Sequence, residues 1–557
     1  MFSTVLIANR GEIAVRIART CRELGIHAVA VYSDPDAGAR HVACADEAVH
    51  LAGIAPADTY LDGDAIIRAA QATGAEAVHP GYGFLAEDAN FARAVNASGL
   101  VWIGPPPDAM ELVADKLSAR RLAQEAGVPM VPGMLGPAAS SEDVAAFGVE
   151  HGYPVAVKAA GGGGGRGLKV VRAAHEVDAA FAAARREGLS YFGADTVYVE
   201  RYLDGPKHME VQILSPAPGE SMALGVRDCS LQRGYQKLIE ESPPPRWAGR
   251  IPEMSAAAVA LSNACGYVNA GTVEFLVDDD GCPYFLEVNA RLQVEHTVTE
   301  EVNGIDLVAC QLRIASGDPL EFSGADIEAR GHAIECRVNA EDPARGFMPS
   351  PGTITTYGEP GGGGVRVDSG YGAGDTVPDA YDSLVAKLIV WGGDRTEARA
   401  RMLRSLDDFV IEGIRTNLGA LRLLVTHETF STGRHTTTTL VEDDILGPLG
   451  GSGATDMPGA PGFVQVGGVP ARLWHPAMAG ATAGRTVDEG VVAPMQATVL
   501  EVAIRPGNRV ESNQALVVLE AMKMVTTVHA SRGGTVTAVP VQVGEAVAAG
   551  QVLAVIE

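Results

Sequence analysis

The stretch GTVEFLVDDDGCPYFLEVNARLQVEHTVTE, residues 271–300, decides how the body of this chain is read. Its two apolar runs flank Asp280 and Gly281, the dipeptide that tight antiparallel hairpins prefer. A two-residue turn there sets Glu274 directly opposite Glu287. Like charges facing each other across a sheet repel. A divalent cation between them reverses that term, and two hard carboxylates, with Asn289 one step further along the same face, suit Mg²⁺. A solvated acidic hairpin is the plain alternative. Beyond the hairpin, Glu287, Asn289, Arg291, Gln293 and Glu295 alternate with Val288, Ala290, Leu292 and Val294, so an extended chain lines the five polar groups along one side. An ordinary half-exposed strand favours Thr, Lys or Tyr on its wet face. This selection instead suits a site for metal, phosphate and a small anion.

Upstream, YPVAVKAAGGGGGRGLKVV (153–171) sets five glycines between two strand-like runs. No Lys-Ser or Lys-Thr follows the last glycine, which excludes a Walker A loop. The run is either a plain hairpin loop or a mobile phosphate lid, with Gly163, Gly164 and Gly165 approaching phosphate oxygens and Lys158, Arg166 and Lys169 supplying charge. Before it, TVLIAN, GEIAVRIARTCRELG and HAVAVYS alternate strand, helix and strand, the rhythm of a parallel α/β sheet over residues 1–115. No G-x-G-x-x-G opens it. Residues 116–330 carry the longer strands and the charged motifs, and 331–445 read as a β-rich unit (HAIECRVNAEDP, GTITTY, VRVDSG, LVAKLIVWG) followed by a helix.

The C-terminal part is duplicated. ATVLEVAIRPGNRVESNQALVVLE, ending at Glu520, matches GTVTAVPVQVGEAVAAGQVLAVIE, ending at Glu557, with Gly507 and Gly544, Val510 and Val547, Gln514 and Gln551, and Leu516 and Leu553 in register. Neither copy can bury its apolar face alone, and together they close a two-sheet sandwich over residues 488–557. The link AMKMVTTVHASRGG turns back as a hairpin with Lys523 near its tip. Between body and sandwich, 446–487 reads as a flexible linker rich in Gly and Pro with one short β-like patch.

The chain has 557 residues, enough for roughly three or four domains. Its net charge of −26 opposes general nucleic-acid binding. No apolar run approaches a membrane span. The opening MFSTVLIANRGE enters a strand at once without a basic leader, so a cytoplasmic location is expected. The seven cysteines lack C-x-x-C spacing and read as reduced core residues.

Two resemblances follow from these motifs. Glu520, Ala521, Met522, Lys523 and Met524 resemble the E-A-M-K-M attachment site of biotin carboxyl carrier domains, which implies biotin on Lys523, attached by a biotin protein ligase. Lipoyl domains share the duplicated sandwich but usually flank their lysine with Asp and Ala. Ala497 departs from the usual A-P-M-x-G. In the body, IANRGEIAVR, HPGYGFLAED, KAAGGGGGRGLKVV, RDCSLQRGYQK, FLEVNARLQVEH and CRVNAEDP are similar, in order, to the biotin carboxylase branch of the ATP-grasp enzymes. The implied fold is α/β and α+β: an N-terminal parallel α/β domain, an ATP-grasp domain and a β-rich C-terminal domain, with an all-β biotinyl/lipoyl-like sandwich at the end.

The same resemblance implies a reaction and its residues. ATP phosphorylates bicarbonate to carboxyphosphate, and the carboxyl group passes to biotin, with Mg²⁺ or Mn²⁺ as the metal. Lys116 and Lys158 correspond to ATP phosphate ligands under the glycine run, Glu200 and Leu203 to adenine-side positions, and His208 and Gln232 to further nucleotide contacts. Glu274 and Glu287, with Asn289, correspond to metal ligands. Lys237, Arg291, Gln293, Val294 and Glu295 correspond to the bicarbonate pocket, with Glu295 as general base. Arg337 corresponds to the group that offsets negative charge developing on biotin. Two departures stand out: Gly234 and Tyr235 in QRGYQK, where the family often reads Q-R-R-H-Q-K, and Thr297, where many acyl-CoA carboxylases have Pro and 2-oxo acid carboxylases often have Thr.

The whole reads as the biotin carboxylase plus carrier subunit of a multisubunit carboxylase of the acetyl- or propionyl-CoA type. A separate carboxyltransferase β subunit is implied, as is a homo-oligomer through the body, where Arg16 and Arg19 resemble positions near the dimer surface. The alternatives are the same half-reaction serving a pyruvate-type carboxylase, and a catalytically silent biotin or lipoyl carrier or scaffold.

Overall fold

The computed structural model describes residues 1–557 apart from 161–166, 325–326, 444, 447–461, 467–468, 474–490, 494–496, 522–523, 549 and 557. The N-terminal part is a five-stranded parallel sheet in the order Glu47–His50, His27–Tyr32, Thr4–Ile7, Ala77–His79, Val101–Trp102. The helix Gly11–Glu23 buries Ile13, Ala14, Ile17, Ala18 and Cys21 against Val5 and Ile7 of this sheet and against Leu307, Val308 and Leu312. That apolar stripe of helical period carries the N-terminal sheet onto the body.

The element that positions the site is an eight-stranded antiparallel sheet. Its order is Pro283–Asn289, Asn269–Val277, Lys207–Ser215, Met222–Arg233, Gln236–Ser242, His332–Asn339, Leu384–Gly392, Val365–Ser369. It runs without a break across residue 330, because Ile239 pairs with Cys336 and Glu241 with Ile334. The β-rich unit expected as separate thus extends the sheet of its predecessor, and its Arg337 comes to lie within reach of Lys237's surroundings. A smaller three-stranded sheet, Leu168–Val171, Val155–Ala159, Val197–Arg201, has its own core of Val144, Phe147, Val157, Val177 and Val199. The glycine run that joins two of its strands lies outside the described residues.

The hairpin of the opening stretch forms, and Glu274 faces Glu287. Its turn is not the two-residue Asp280-Gly281 turn expected. Asp278 closes a longer loop, its Oδ1 accepting from the backbone N–H of Asp280 (3.1 Å) and of Cys282 (2.8 Å). A bulge between Glu274 and Phe275 restores the register that brings the two glutamates opposite. Gly281 sits at φ 79°, and a Cβ there would meet the Trp247 ring at 2.5 Å. A side chain is therefore excluded on two counts.

The C-terminal part is a sandwich of two four-stranded sheets. Val499, Val510, Leu516, Leu519, Val536, Val547, Leu553 and Ile556 form its core, so the repeat supplies matched apolar residues from both copies. The strands Ala515–Ala521 and Met524–His529 pair as a hairpin, with Ala521 opposite Met524. Lys523 lies outside the described residues. The linker reading at 446–487 falls mostly outside them too, apart from the paired strands Gly462–Val466 and Val469–Leu473.

Arg227 is fully buried and ties this architecture together. Its Nε donates to Glu210, Nη1 to Gln212 Oε1 (2.6 Å) and Thr299 Oγ1 (2.9 Å), and Nη2 to Thr272 Oγ1 (3.0 Å). Two strands and the helix His296–Asn303 share one guanidinium. Arg227→Met should lower the stability of the body by about 3–5 kcal/mol, because it leaves buried acceptors and a charge without their partner. The check is the urea midpoint followed by circular dichroism, and an unchanged midpoint would contradict the assignment.

Candidate active site

Lys237 on the strand Gln236–Ser242 is the hub of the cleft. Its Nζ donates to Glu210 Oε2 (2.7 Å), Glu274 Oε1 (3.1 Å) and Glu295 Oε1 (2.6 Å). Glu210 and Glu295 are fully buried. Burial pulls the Lys237 pKa down, but the three carboxylates outweigh it and hold the pKa well above the usual lysine value. Burial likewise pushes Glu295 up, and Lys237, Arg337 and Arg227 together hold it well below the usual carboxylate value. Each charge keeps the other ionised, and Glu295 stands in the cleft as a carboxylate, the form that accepts a proton.

Arg337, on the strand His332–Asn339, closes on the same carboxylate from the other side. Its Nη2 donates to Glu295 Oε2 (2.8 Å) and its Nε to Glu240 Oε1 (2.5 Å). Arg291 donates through Nη1 to Gln293 Oε1 (3.1 Å) and through Nη2 to Asn289 Oδ1 (3.2 Å), and its Nε lies 3.1 Å from Glu87. Gln293 in turn donates to Glu274 Oε1 (3.1 Å). The carbonyl of Val294 accepts from Lys387 Nζ (3.1 Å), a buried cation that also lies 3.3 Å from Glu12. Lys237, Arg291, Gln293, Val294, Glu295 and Arg337 are thus brought to one place.

They do not lie along an extended strand as expected. The strand ends at Asn289, residues 290–295 are irregular, and Glu295 is the residue before the helix His296–Asn303. The turn folds Glu295 back toward Lys237, which a straight strand would carry away from it.

On the nucleotide side, Lys116 Nζ donates to Glu287 Oε2 (2.5 Å). Burial lowers its pKa, and Glu287, Glu200 and Glu274 raise it above the usual lysine value. Lys158 donates to Glu200, which also accepts from Arg120 Nη1 (2.9 Å). His208 lies 2.9 Å from Glu274 and, through Nδ1, 2.8 Å from Gln232 Nε2. Leu203 is half-buried just past the strand Val197–Arg201. Gly163, Gly164 and Gly165 lie outside the described residues.

The donor set fits a hard divalent cation. Glu274 and Glu287 present opposed carboxylates, each already paired with a cation that a metal would relieve. Asn289 turns Oδ1 to Arg291 and leaves its buried Nδ2 without a partner among the described residues, so it joins that set only by turning its amide over.

Both departures have a local explanation. Gly234 (φ 54°) and Tyr235 (φ 69°) form the two-residue turn between Arg233 and Gln236, of the kind that needs positive φ at both positions. Thr297 is buried and donates to Glu335 on the neighbouring strand. Arg16 is buried against Glu300 and Asp306, both at 2.8 Å. The residues that sequence reasoning passed over are Glu210, Glu240, Glu87, Arg120 and Lys387. Glu210 had a signal: His208, Glu210 and Gln212 recur at period two inside a strand that is otherwise apolar. Lys387 had one too, as the lone charge in LVAKLIVWG.

A single site that gathers carboxylates, lysines and arginines around one continuous sheet, on a chain ending in a duplicated sandwich, has the layout of an ATP-grasp ligase with its own carrier. Family models agree along the chain. Residues 1–110 match the biotin carboxylase N-terminal domain, 115–323 the ATP-binding domain of the carbamoyl-phosphate synthase L chain, 335–442 the biotin carboxylase C-terminal domain and 489–556 the biotin-requiring enzyme model. The chain is 44% identical to the biotin-dependent acyl-coenzyme A carboxylase alpha3 subunit of Mycobacterium leprae, covering 99% of this chain and 98% of that one. It is 47% identical to biotin carboxylase 1 of Bacillus subtilis, over 80% of this chain and all of that one.

Among solved structures, the biotin carboxylase domain of Hydrogenobacter thermophilus 2-oxoglutarate carboxylase, in complex with MgADP, ADP and bicarbonate, superposes with a TM-score of 0.77 at 43% identity over 80% of this chain and 98% of that one. Campylobacter jejuni biotin carboxylase in a β,γ-ATP complex gives 0.77 at 41% over 79% and 99%. The chain belongs to the biotin carboxylase family, and it is a biotin carboxylase with a fused biotin carrier domain. No helix among the described residues is long and apolar enough to cross a membrane.

The Thr297 hydroxyl gives this site a stability test. Thr297→Val leaves a buried Glu335 oxygen without its donor and should cost about 1–3 kcal/mol. A thermal melt of the variant within error of the parent would show that the contact contributes nothing.

Proposed function

We propose that this chain is the biotin carboxylase and carrier subunit of a multisubunit acyl-CoA carboxylase acting on acetyl- or propionyl-CoA. The observation that carries the half-reaction is the closure of Lys237 (2.6 Å) and Arg337 (2.8 Å) on the two oxygens of Glu295. The choice of acceptor is supported by the Mycobacterium leprae relative, which is similar through body and carrier alike. A biotin protein ligase, a carboxyltransferase β subunit, self-association through the body and a cytoplasmic setting belong to the same reading.

In this mechanism Arg291, Gln293, Lys237 and the backbone at Val294 hold bicarbonate beside Glu295. Glu295 takes the bicarbonate proton, and the freed oxygen attacks the γ-phosphorus of ATP, releasing ADP and forming carboxyphosphate. Lys116 and Lys158 hold the phosphates as charge builds on them, with Gly163, Gly164 and Gly165 covering them, while Glu200, Leu203, His208 and Gln232 hold the nucleotide. Glu274 and Glu287, with Asn289, would hold Mg²⁺ or Mn²⁺, which would supply charge to offset that of the phosphates. Carboxyphosphate then yields CO₂ and phosphate, and Arg337 supplies positive charge where negative charge develops on the acceptor. Biotin on Lys523 would supply the ureido nitrogen, whose proton passes to the released phosphate as the nitrogen takes up CO₂.

A second reading is a 2-oxo acid acceptor. Thr297 supports it, as does the 46% identity to a pyruvate carboxylase subunit of Methanothermobacter thermautotrophicus over 88% of that protein.

Glu274→Gln and Glu287→Gln test the shared mechanism. Each should lower bicarbonate-dependent ATP cleavage by about 10²-fold or more while circular dichroism stays unchanged. Near-parental cleavage in both variants would reduce the hairpin to acidic surface.

A further inference from the structure

Arg337 serves two carboxylates. Its Nη2 goes to Glu295, and its Nε goes to Glu240 on the neighbouring strand. Glu240 lies beneath the cleft, fully buried, directly opposite Glu335 in the sheet. One oxygen of each of these two glutamates, Glu240 Oε2 and Glu335 Oε1, is buried without a hydrogen-bond partner among the described residues. Two carboxyls are placed side by side in a dry layer, and one of them holds the cation that faces the proposed base.

We propose that Glu240 is a positioning residue for carboxylation of biotin, dividing Arg337 between itself and Glu295 so that the guanidinium gives the base a single hydrogen bond and not a two-bonded fork. An arginine left with a single carboxylate partner forms a two-bonded fork with it. Such a fork on Glu295 would bring Arg337 onto Oε1 as well, the oxygen that Lys237 already holds, and draw the positive charge away from the acceptor. Glu240 blocks the side-on fork by engaging Nε, and its bond there fixes the direction in which the guanidinium presents Nη2.

The surroundings make this division sensitive to pH. Glu240 faces Arg337 and Glu335 on one neighbouring strand, Lys237 on its own and Glu295 before the helix; Glu335 faces Thr297 and, from the next strand, Lys387. Burial is the largest influence on both acids and raises both above the ordinary glutamate value; Arg337 opposes it at Glu240, and Lys387 at Glu335. In the folded chain they therefore ionise later than in the unfolded one. Their neutral forms favour the folded state at low pH, and that contribution fades as pH rises through the raised values. Over the same range Glu240 gains the charge that holds Arg337.

The inference rests on the roles assigned to Arg337 and Glu295. The experiment uses the full chain with MgATP, bicarbonate and free biotin, followed from pH 6 to 9. Glu240→Ala should lower kcat for biotin carboxylation by about 10²-fold, as a misplaced catalytic group does, with the KM for ATP within about twofold. Glu240→Gln keeps an acceptor for Nε but no charge. It should hold kcat within about threefold of the parent near pH 6.5 and lose the parent's rise toward alkaline pH. Should the alanine variant fail to fold, the glutamine pH profile decides alone. A parental profile in Glu240→Gln, or a parental kcat in Glu240→Ala, would overturn the proposal. A parent chain without bicarbonate-dependent ATP cleavage would instead overturn the reading beneath it.

Discussion

One ammonium surrounded by three buried carboxylates is the constraint on which the site depends. Lys237 meets Glu210, Glu274 and Glu295, which come from two strands and an irregular segment. Glu274 or Glu295 left alone in the same buried layer would be driven to protonate. Held together with Lys237, Arg227, Arg337 and His208, these two stay below the usual carboxylate value, and the fold that assembles them is the one that makes them useful. The unbroken eight-stranded sheet matters for the same reason. It delivers Arg337 from beyond residue 330 to the base, so the C-terminal part of the body completes the cleft that the ATP-grasp strands begin.

Much of this was legible in the residues. The pairing of Glu274 with Glu287 followed from a hairpin pattern, and the duplicated sandwich followed from its internal repeat. What failed were local geometries that a pattern of period two does not encode. The turn at Asp278 is longer than an Asp-Gly dipeptide suggests, and only a bulge rescues the register. The alternation from Glu287 to Glu295 suggested continuous strand, whereas the chain bends after Asn289 because Glu295 must reach back to Lys237. Glu240 was passed over because in the polar strand Gln236–Ser242 a buried acid reads the same as a solvated one. Its role emerges only when strands distant in sequence are set side by side.

The body and the carrier divide the work physically. The cleft is built of preorganised charge and gains from rigidity, while the sandwich needs only to present one lysine and to travel. A flexible linker over 446–487, as the sequence leads one to expect, would turn an encounter between two molecules into one within a chain, at an effective concentration set by its length. Such a linker would also let the carrier reach a second polypeptide, as the proposed function requires.

The most direct test is transfer of radiolabelled bicarbonate onto the biotinylated chain in the presence of MgATP. Label should appear on the chain, depend on ATP and be absent from Lys523→Ala. Without an added carboxyltransferase, it should not pass to acetyl-CoA, propionyl-CoA or pyruvate. Label that forms without ATP, or survives the loss of Lys523, would contradict the account.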